Sequence, residues 1–229
     1  MIPVAASSGD AEYTLRELTV PLDLGTLVPS ATAWEVELGF GKGRYLLHRA
    51  EGEPDRGFVG AEMAGSYYRL AKRRMRRREL TNTVLLHGEA LYLLSVVLPR
   101  AFAIAVHVYF PDPWPKARHQ KRRLFDIETI DLVLDLLTDE GRLFFATDFL
   151  EYGRVVKEIL DSYPTVEVNE VQGPWPGGAR TNYEAKYMRE GRPILRLEVG
   201  RTPMSGVSLH PRGEACVLAA VAPSPEEVS

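Results

Sequence analysis

The sequence predicts an α/β fold: a mostly parallel seven-stranded sheet with helices on both faces. Three observations carry this. Short apolar runs alternate with amphipathic stretches from Trp34 to Val199, the order that builds parallel strands joined by crossover helices. A glycine-rich turn, Gly39-Phe40-Gly41-Lys42-Gly43, joins the first apolar run to a helical one. Glu62 stands nineteen residues after Gly43, at the end of the second run. In open sheets of this kind ligands bind beyond the carboxyl ends of the strands, and both the turn and Glu62 fall there.

Each element has a local reason. Trp34–Leu38 reads as the first strand and Arg44–Ala50 as a short helix after the glycine turn. Gly57–Ala61 is the second strand. Ala64–Leu80 has helical length and closes on basic residues, which suit a helix C-terminus. Val84–His87 is the third strand, and Leu91–Leu98 a helix stopped by Pro99. Ala103–Tyr109 is an apolar fourth strand. Leu124–Leu137 places Ile127, Ile130, Val133, Leu134 and Leu137 on one helical face. Gly141–Ala146, Leu150–Ser162 and Thr165–Asn169 read as strand, helix and strand. A Gly- and Pro-rich loop spans Gln172–Gly178, and Ile194–Val199 is the last strand.

The 229 residues suit one α/β domain with extensions. We expect the domain over 34–200, a partly flexible N-terminal extension over 1–33, and a C-terminal extension over 201–229 with a disordered tip. Hydrophobic residues make up 45% and charged residues 26% of the chain, the balance of a globular protein. No apolar run approaches the roughly 20 residues that cross a bilayer, and the N-terminus lacks the features of a secretion signal. A lone cysteine, Cys216, excludes an internal disulfide framework and fits a reducing compartment. The expectation is a cytoplasmic protein, monomer or homodimer, with no membrane partner. His87, His107 and His119 lack metal-ligand spacing, so no metal is expected.

Net charge is −3, yet basic residues gather in two runs, Arg69–Arg78 and Lys116–Arg123. Such local fields steer a polyanion to one face of an acidic protein. The first run reads rather as the solvated face of a helix. The second adjoins a proline-locked loop and points to function.

The glycine turn lets the backbone bend tightly and lets a ligand approach it closely. Its spacing is G-x-G-x-G, not the G-x-G-x-x-G of dinucleotide sites. Glu37, two residues ahead of Gly39, opposes a pyrophosphate and favours a cation such as an ammonium or a sulfonium. That tilts the ligand from a nicotinamide dinucleotide toward S-adenosylmethionine. Glu62 is placed to accept hydrogen bonds from ribose hydroxyls. Glu89, just after the third strand, is either an acceptor for the adenine amino group or an exposed acid opening a helix.

The segment Tyr109-Phe110-Pro111-Asp112-Pro113-Trp114-Pro115-Lys116 is the most informative in the chain. Three prolines within five residues forbid helix and hold the backbone extended. They fix one carboxylate, Asp112, and one indole, Trp114, at a strand end. Trp114 reads equally as a base-stacking platform and as packing under its own loop. Arg118, His119, Gln120, Lys121, Arg122 and Arg123 follow at once. An acid, an aromatic face and a basic stretch in one loop suit a purine on a phosphate backbone.

At this point the chain resembles the bacterial tRNA (guanine-N7)-methyltransferases, a Rossmann-like class I S-adenosylmethionine-dependent family. The likeness runs from Trp34 to Val199. It rests on Glu37–Gly43, on Gly60-Ala61-Glu62, on Phe110–Lys116 with Arg118–Arg123, and on Ala146-Thr147-Asp148 and Thr181-Asn182-Tyr183-Glu184. The Pro-Asp-Pro-Trp loop with its basic run is specific to that family; the glycine turn is shared by all class I methyltransferases. The resemblance implies that Glu37, Gly39, Gly41, Gly43, Glu62, Glu89 and Asp112 line the cofactor pocket and that Asp112 is also catalytic. It implies that Lys116, Asp148, Thr181, Asn182, Tyr183 and Glu184 contact substrate and that Arg118–Arg123 contact tRNA. The family modifies a guanine of the variable loop, usually position 46. Two positions depart from its pattern: Glu89 stands where Asp is common, and Pro115 where His is frequent. Asp148 and the Thr181/Glu184 pair also read as helix caps. Rival readings are a methyltransferase acting on another RNA and a non-catalytic RNA-binding module.

Overall fold

The computed structural model describes residues 5–8, 11–14, 17–114 and 123–201. The elements in order are β1 (Ala5–Ser8), β2 (Ala11–Thr14), α1 (Leu24–Leu27), β3 (Trp34–Leu38), α2 (Arg44–Gly52), β4 (Gly57–Glu62), α3 (Gly65–Arg77) and β5 (Thr83–His87). Then come α4 (Ala90–Tyr92, continued by a π-helical turn over Leu93–Val97), β6 (Ala103–Tyr109), α5 (Ile127–Leu136) and β7 (Leu137–Thr147). The chain closes with α6 (Leu150–Asp161), β8 (Val166–Glu170), α7 (Asn182–Arg189) and β9 (Leu195–Arg201).

One sheet runs in the order β2-β1-β5-β4-β3-β6-β7-β9-β8. Strands β5, β4, β3, β6 and β7 are parallel, and β9 enters antiparallel between β7 and β8. These seven are the strands expected from the sequence. Two more extend the sheet: β1 pairs antiparallel with β5, and β2 with β1. Small and polar residues there give no period-2 signal, so only the free edge of β5 makes those strands visible. Helix α7 is also additional to the expected elements; its polar sequence follows a glycine- and proline-rich loop and carries no apolar stripe.

Helices cover both faces, unevenly. Against one face, Val36, Leu38, Val59, Val106 and Val108 pack on α5, α6 and the π-helical turn in the main core. Against the other, α2 and α3 close only the part over β4 and β5, where Leu46, Leu47, Phe58, Met75 and Leu85 form a second apolar cluster. Gly60 on β4 permits this close approach: a Cβ there would collide with the side chains of Leu46 and Phe40. Burying such side chains contributes about 1.5–3 kcal/mol each. The parallel strands therefore end together, and the turns after β3, β4, β5 and β6 meet along one edge.

Candidate active site

The glycine turn after β3 is shaped by its three glycines. Gly39, Gly41 and Gly43 have φ of +71°, +53° and +68°, values that side chains disfavour. Backbone bonds hold the turn: Gly39 N–H donates to Ala61 O at 2.8 Å, and the Arg74 guanidinium donates to Lys42 O at 2.7 Å. The carboxylate of Glu62 ties the turn to the next helix, accepting from Gly41 N–H at 2.7 Å and from Ala64 N–H at 2.8 Å. Each of its oxygens keeps a further lone pair for a ligand hydroxyl.

Glu37 lies beneath the turn, 3% exposed, and accepts from Leu46 N–H of α2 at 3.0 Å. Burial pushes its carboxyl up to about 8, with the nearby negative charge of Glu62 adding to the rise and the Leu46 bond opposing it. Glu89 is exposed at the N-cap of α4, and its side chain makes no capping bond.

The proline loop leaves the adjacent strand, β6. It is not extended throughout, contrary to the expectation from its three prolines. Phe110 and Trp114 lie at φ of +53° and +38°, so the chain turns sharply on either side of Pro111-Asp112-Pro113. Such non-glycine residues persist only where surroundings over-determine them. Here Phe110 N–H donates to Ala146 O at 2.7 Å, and Arg123 Nε donates to Pro113 O at 2.8 Å. Trp114 is half-buried and Asp112 is exposed. Lys116, Arg118, His119, Gln120, Lys121 and Arg122 lie outside the described residues, as does the C-terminal extension beyond Arg201.

Helix α7 supplies the opposite wall. Thr181 caps it, accepting from Glu184 N–H at 3.0 Å. Glu184 is completely buried; it accepts from Arg180 N–H and from Arg196 Nε, both at 2.8 Å. These two residues shape the helix start, while Asn182 and Tyr183 face outward, Asn182 accepting from Arg44 at 3.1 Å. The Tyr183 hydroxyl is raised by Tyr67, by partial burial and by the negative charges of Asp112 and Glu62. Phe110, Tyr183 and Tyr187 form an aromatic group with centroids 5.5–6.5 Å apart. Asp148 does not cap α6; it pairs with Arg192 at 3.5 Å, and Arg192 lies 4.7 Å from the Tyr187 ring.

Sequence reasoning does not find Tyr67, Tyr187, Arg192 or Arg180. The one signal for any of them is the i, i+4 spacing of Tyr183 and Tyr187, which puts both on one side of a helix.

With this geometry in place, similarity to known proteins is informative. Residues 32–197 match a family described as putative methyltransferases. The chain belongs to this methyltransferase family. A tRNA (guanine-N(7)-)-methyltransferase of Nitrosococcus oceani is 31% identical over 184 residues, covering 80% of this chain and 78% of the relative. The corresponding protein of Roseobacter denitrificans is 35% identical over 179 residues, 75% of each chain. Among solved structures, the aminoglycoside resistance methyltransferase NpmB1 superposes with a TM-score of 0.59 at 17% identity, over 87% of this chain and all of that one. A 16S rRNA (adenine(1408)-N(1))-methyltransferase from Catenulisporales acidiphilia, solved with cosubstrate SAM, gives 0.59 at 15% identity, over 90% of this chain and 100% of that one. At such identities these structures establish the class I methyltransferase fold.

The methyltransferase's own residues fit S-adenosylmethionine. A Cβ built at Gly39 or Gly41 meets no atom within 4 Å, so the turn presents bare backbone to open space. The Glu62 carboxylate, bonded to that turn, suits a ligand with hydroxyl donors.

Proposed function

We propose that this protein transfers a methyl group from S-adenosylmethionine to N7 of a guanine in tRNA, at position 46 of the variable loop, and that residues 34–200 form the catalytic domain between two extensions. The observation that carries this reading is the bare backbone of the glycine turn, tied by the Glu62 carboxylate, on the strand beside the one that ends in the proline loop. The tRNA acceptor rests on the named relatives and on the basic run after Pro115.

Bound S-adenosylmethionine supplies an electrophilic methyl on a positively charged sulfur. Guanine N7 carries a lone pair and no proton at neutral pH, so no general base is obligatory. What the chain must provide is position and charge. Holding the acceptor near contact distance contributes several kcal/mol, about 7–11 where alignment is complete. As the new bond forms, positive charge moves onto the purine. Asp112, exposed at the rim and fixed by its neighbours, stabilises that charge and accepts from guanine N1–H or N2–H₂. This selects guanine over adenine. Gly39, Gly41 and Gly43 cradle the donor above Glu37, which supports the turn from beneath, while Glu62 accepts from its ribose and Glu89 from its adenine. Phe110, Tyr183 and Tyr187 present rings on which a base stacks. Thr181 and Glu184 place Asn182 and Tyr183, Asp148 holds Arg192, and Lys116 with Arg118–Arg123 binds phosphates.

The test is incubation of unmodified tRNA with labelled cofactor, followed by chain cleavage at 7-methylguanosine. Label at one guanine of the variable loop is expected. Label on another nucleobase atom, or binding without transfer, overturns the assignment.

A further inference from the structure

The sheet face that α2 and α3 leave open is polar. Strand alternation directs Glu35 of β3, His107 of β6, and Arg142 and Phe144 of β7 onto it. Tyr45 and Arg49 of α2 reach over His107 and Glu35, each 3% exposed, whereas Arg142 stays exposed. With the flanks of α2 and α3 and the loop before α7, they bound a cavity of about 1060 Å³. That is at the upper end of the roughly 300–1,000 Å³ of small-molecule pockets.

Its electrostatics are one-sided. Among the described residues, eight arginines line it against a single carboxylate, Glu35. Glu35 is already spent on Arg49 and Arg56, at 2.6 and 2.9 Å. Glu53, Glu51 and Glu198 reach Arg49, Arg78 and Arg142 from outside the lining. Counting every one of these acids still leaves four positive charges in excess, on a chain whose net charge is −3. Arg77 is exposed and has no carboxylate partner among the described residues. The floor is aromatic: the His107 and Phe144 rings stack 5.2 Å apart, Tyr45 meets His107 edge-on, and Arg180 lies 4.7 Å from the Phe144 centroid.

The cavity opens off the acceptor side of the active site. Arg44 and Asn182, joined by a hydrogen bond, both line it, and Tyr183 is the next residue along. Arginine's planar fork binds phosphate oxygens in pairs. Many such forks around one open space fit a run of linked phosphates rather than one free phosphate. We infer that this cavity is a second RNA site, holding the sugar–phosphate backbone of the substrate tRNA beyond the nucleotide being methylated. The inference rests on the tRNA reading above. It gives a function to Arg77 and Arg78, the end of the first basic run.

The test uses the full chain with Arg77→Gln, Arg78→Gln and Arg142→Gln combined, all three being exposed. Thermal melting and S-adenosylmethionine affinity should match wild type. The slope of log affinity for tRNA against log salt should fall by about 3, one for each lost phosphate contact. KM for tRNA should rise about tenfold or more with kcat little changed, as for contacts that position without reacting. Lysine at the same three positions should restore most of the slope, because the charge remains. A folded glutamine variant with wild-type slope and KM overturns the cavity's role. The two readings part on the wild-type protein: no methyl transfer by it sinks the activity, whereas an unchanged slope in the variant sinks the second site.

Discussion

The glycine turn and the proline loop leave neighbouring strands, β3 and β6, and are built by opposite means. In the glycine turn every left-handed residue is a glycine, and bonds from its backbone to Ala61, Glu62 and Arg74 complete the shape. That shape costs little beyond the entropy of ordering it. In the proline loop the left-handed residues are Phe110 and Trp114, each costing about 1–3 kcal/mol. Surrounding structure holds them in place. The contrast shows where rigidity matters. On the function proposed above, a cofactor that binds bare backbone needs only a cradle, whereas a guanine that must be told from adenine needs a carboxylate on a fixed backbone.

The most direct challenge to this contrast is Asp112→Ala. We expect methyl transfer to fall by about 10³-fold or more, the scale of losing a preformed charge-stabilising group, with tRNA affinity nearly intact. Full activity in steady-state assays would remove Asp112 from the chemistry. Next comes Glu184→Ala, which leaves Arg196 buried without its partner. Loss of one member of a buried pair costs about 3–5 kcal/mol; denaturant unfolding should show it, and a shift below about 1 kcal/mol would place the acceptor wall's anchor elsewhere. Gly41→Ala tests the other loop. At φ +53° a Cβ costs about 1–2 kcal/mol and projects into the cleft, so cofactor affinity should drop about tenfold while tRNA affinity holds.

A pH dependence should be the mildest consequence. Glu37 binds its proton more tightly folded than unfolded, since its carboxyl rises from 4.5 to about 8. Between those values the folded state holds the extra proton, and its stabilising contribution declines as pH rises through the window. Glu37→Gln should flatten the fall in melting temperature between pH 5 and about 8. Glu35 has the opposite sign. Despite its burial, hydrogen bonds to His107 and Arg49 and their charges hold its carboxyl down at about 2. Its contribution is present above 4.5 and lost as pH falls toward 2. A Glu37→Gln variant with the wild-type slope on the alkaline side would show that this carboxyl is ionised in the free protein.

Much of the fold is legible in the sequence. The seven central strands announce themselves through apolar runs bounded by glycine, proline or charge, and Glu37, Glu62 and Asp112 stand at strand ends by chain position alone. What is not legible depends on contacts distant in sequence. Nothing near Phe110 forecasts its left-handed backbone, which rests on Ala146 thirty-six residues away. Glu184 reads as a cap residue until Arg196 is brought alongside by β9. The arginines of α3 look like a solvated face because their opposing lining, Arg142 and Arg180, comes from other parts of the chain.

The N-terminal hairpin has a consequence unrelated to catalysis. Strand β5 is buried from Thr83 to Leu86, and β1 occupies hydrogen-bonding positions along its outer side. Without β1 those amides and carbonyls form an open, greasy template onto which a second molecule can add. Deleting residues before Glu17 should therefore spare turnover in fresh enzyme yet shorten its shelf life, the loss showing as turbidity and thioflavin binding that grow with protein concentration.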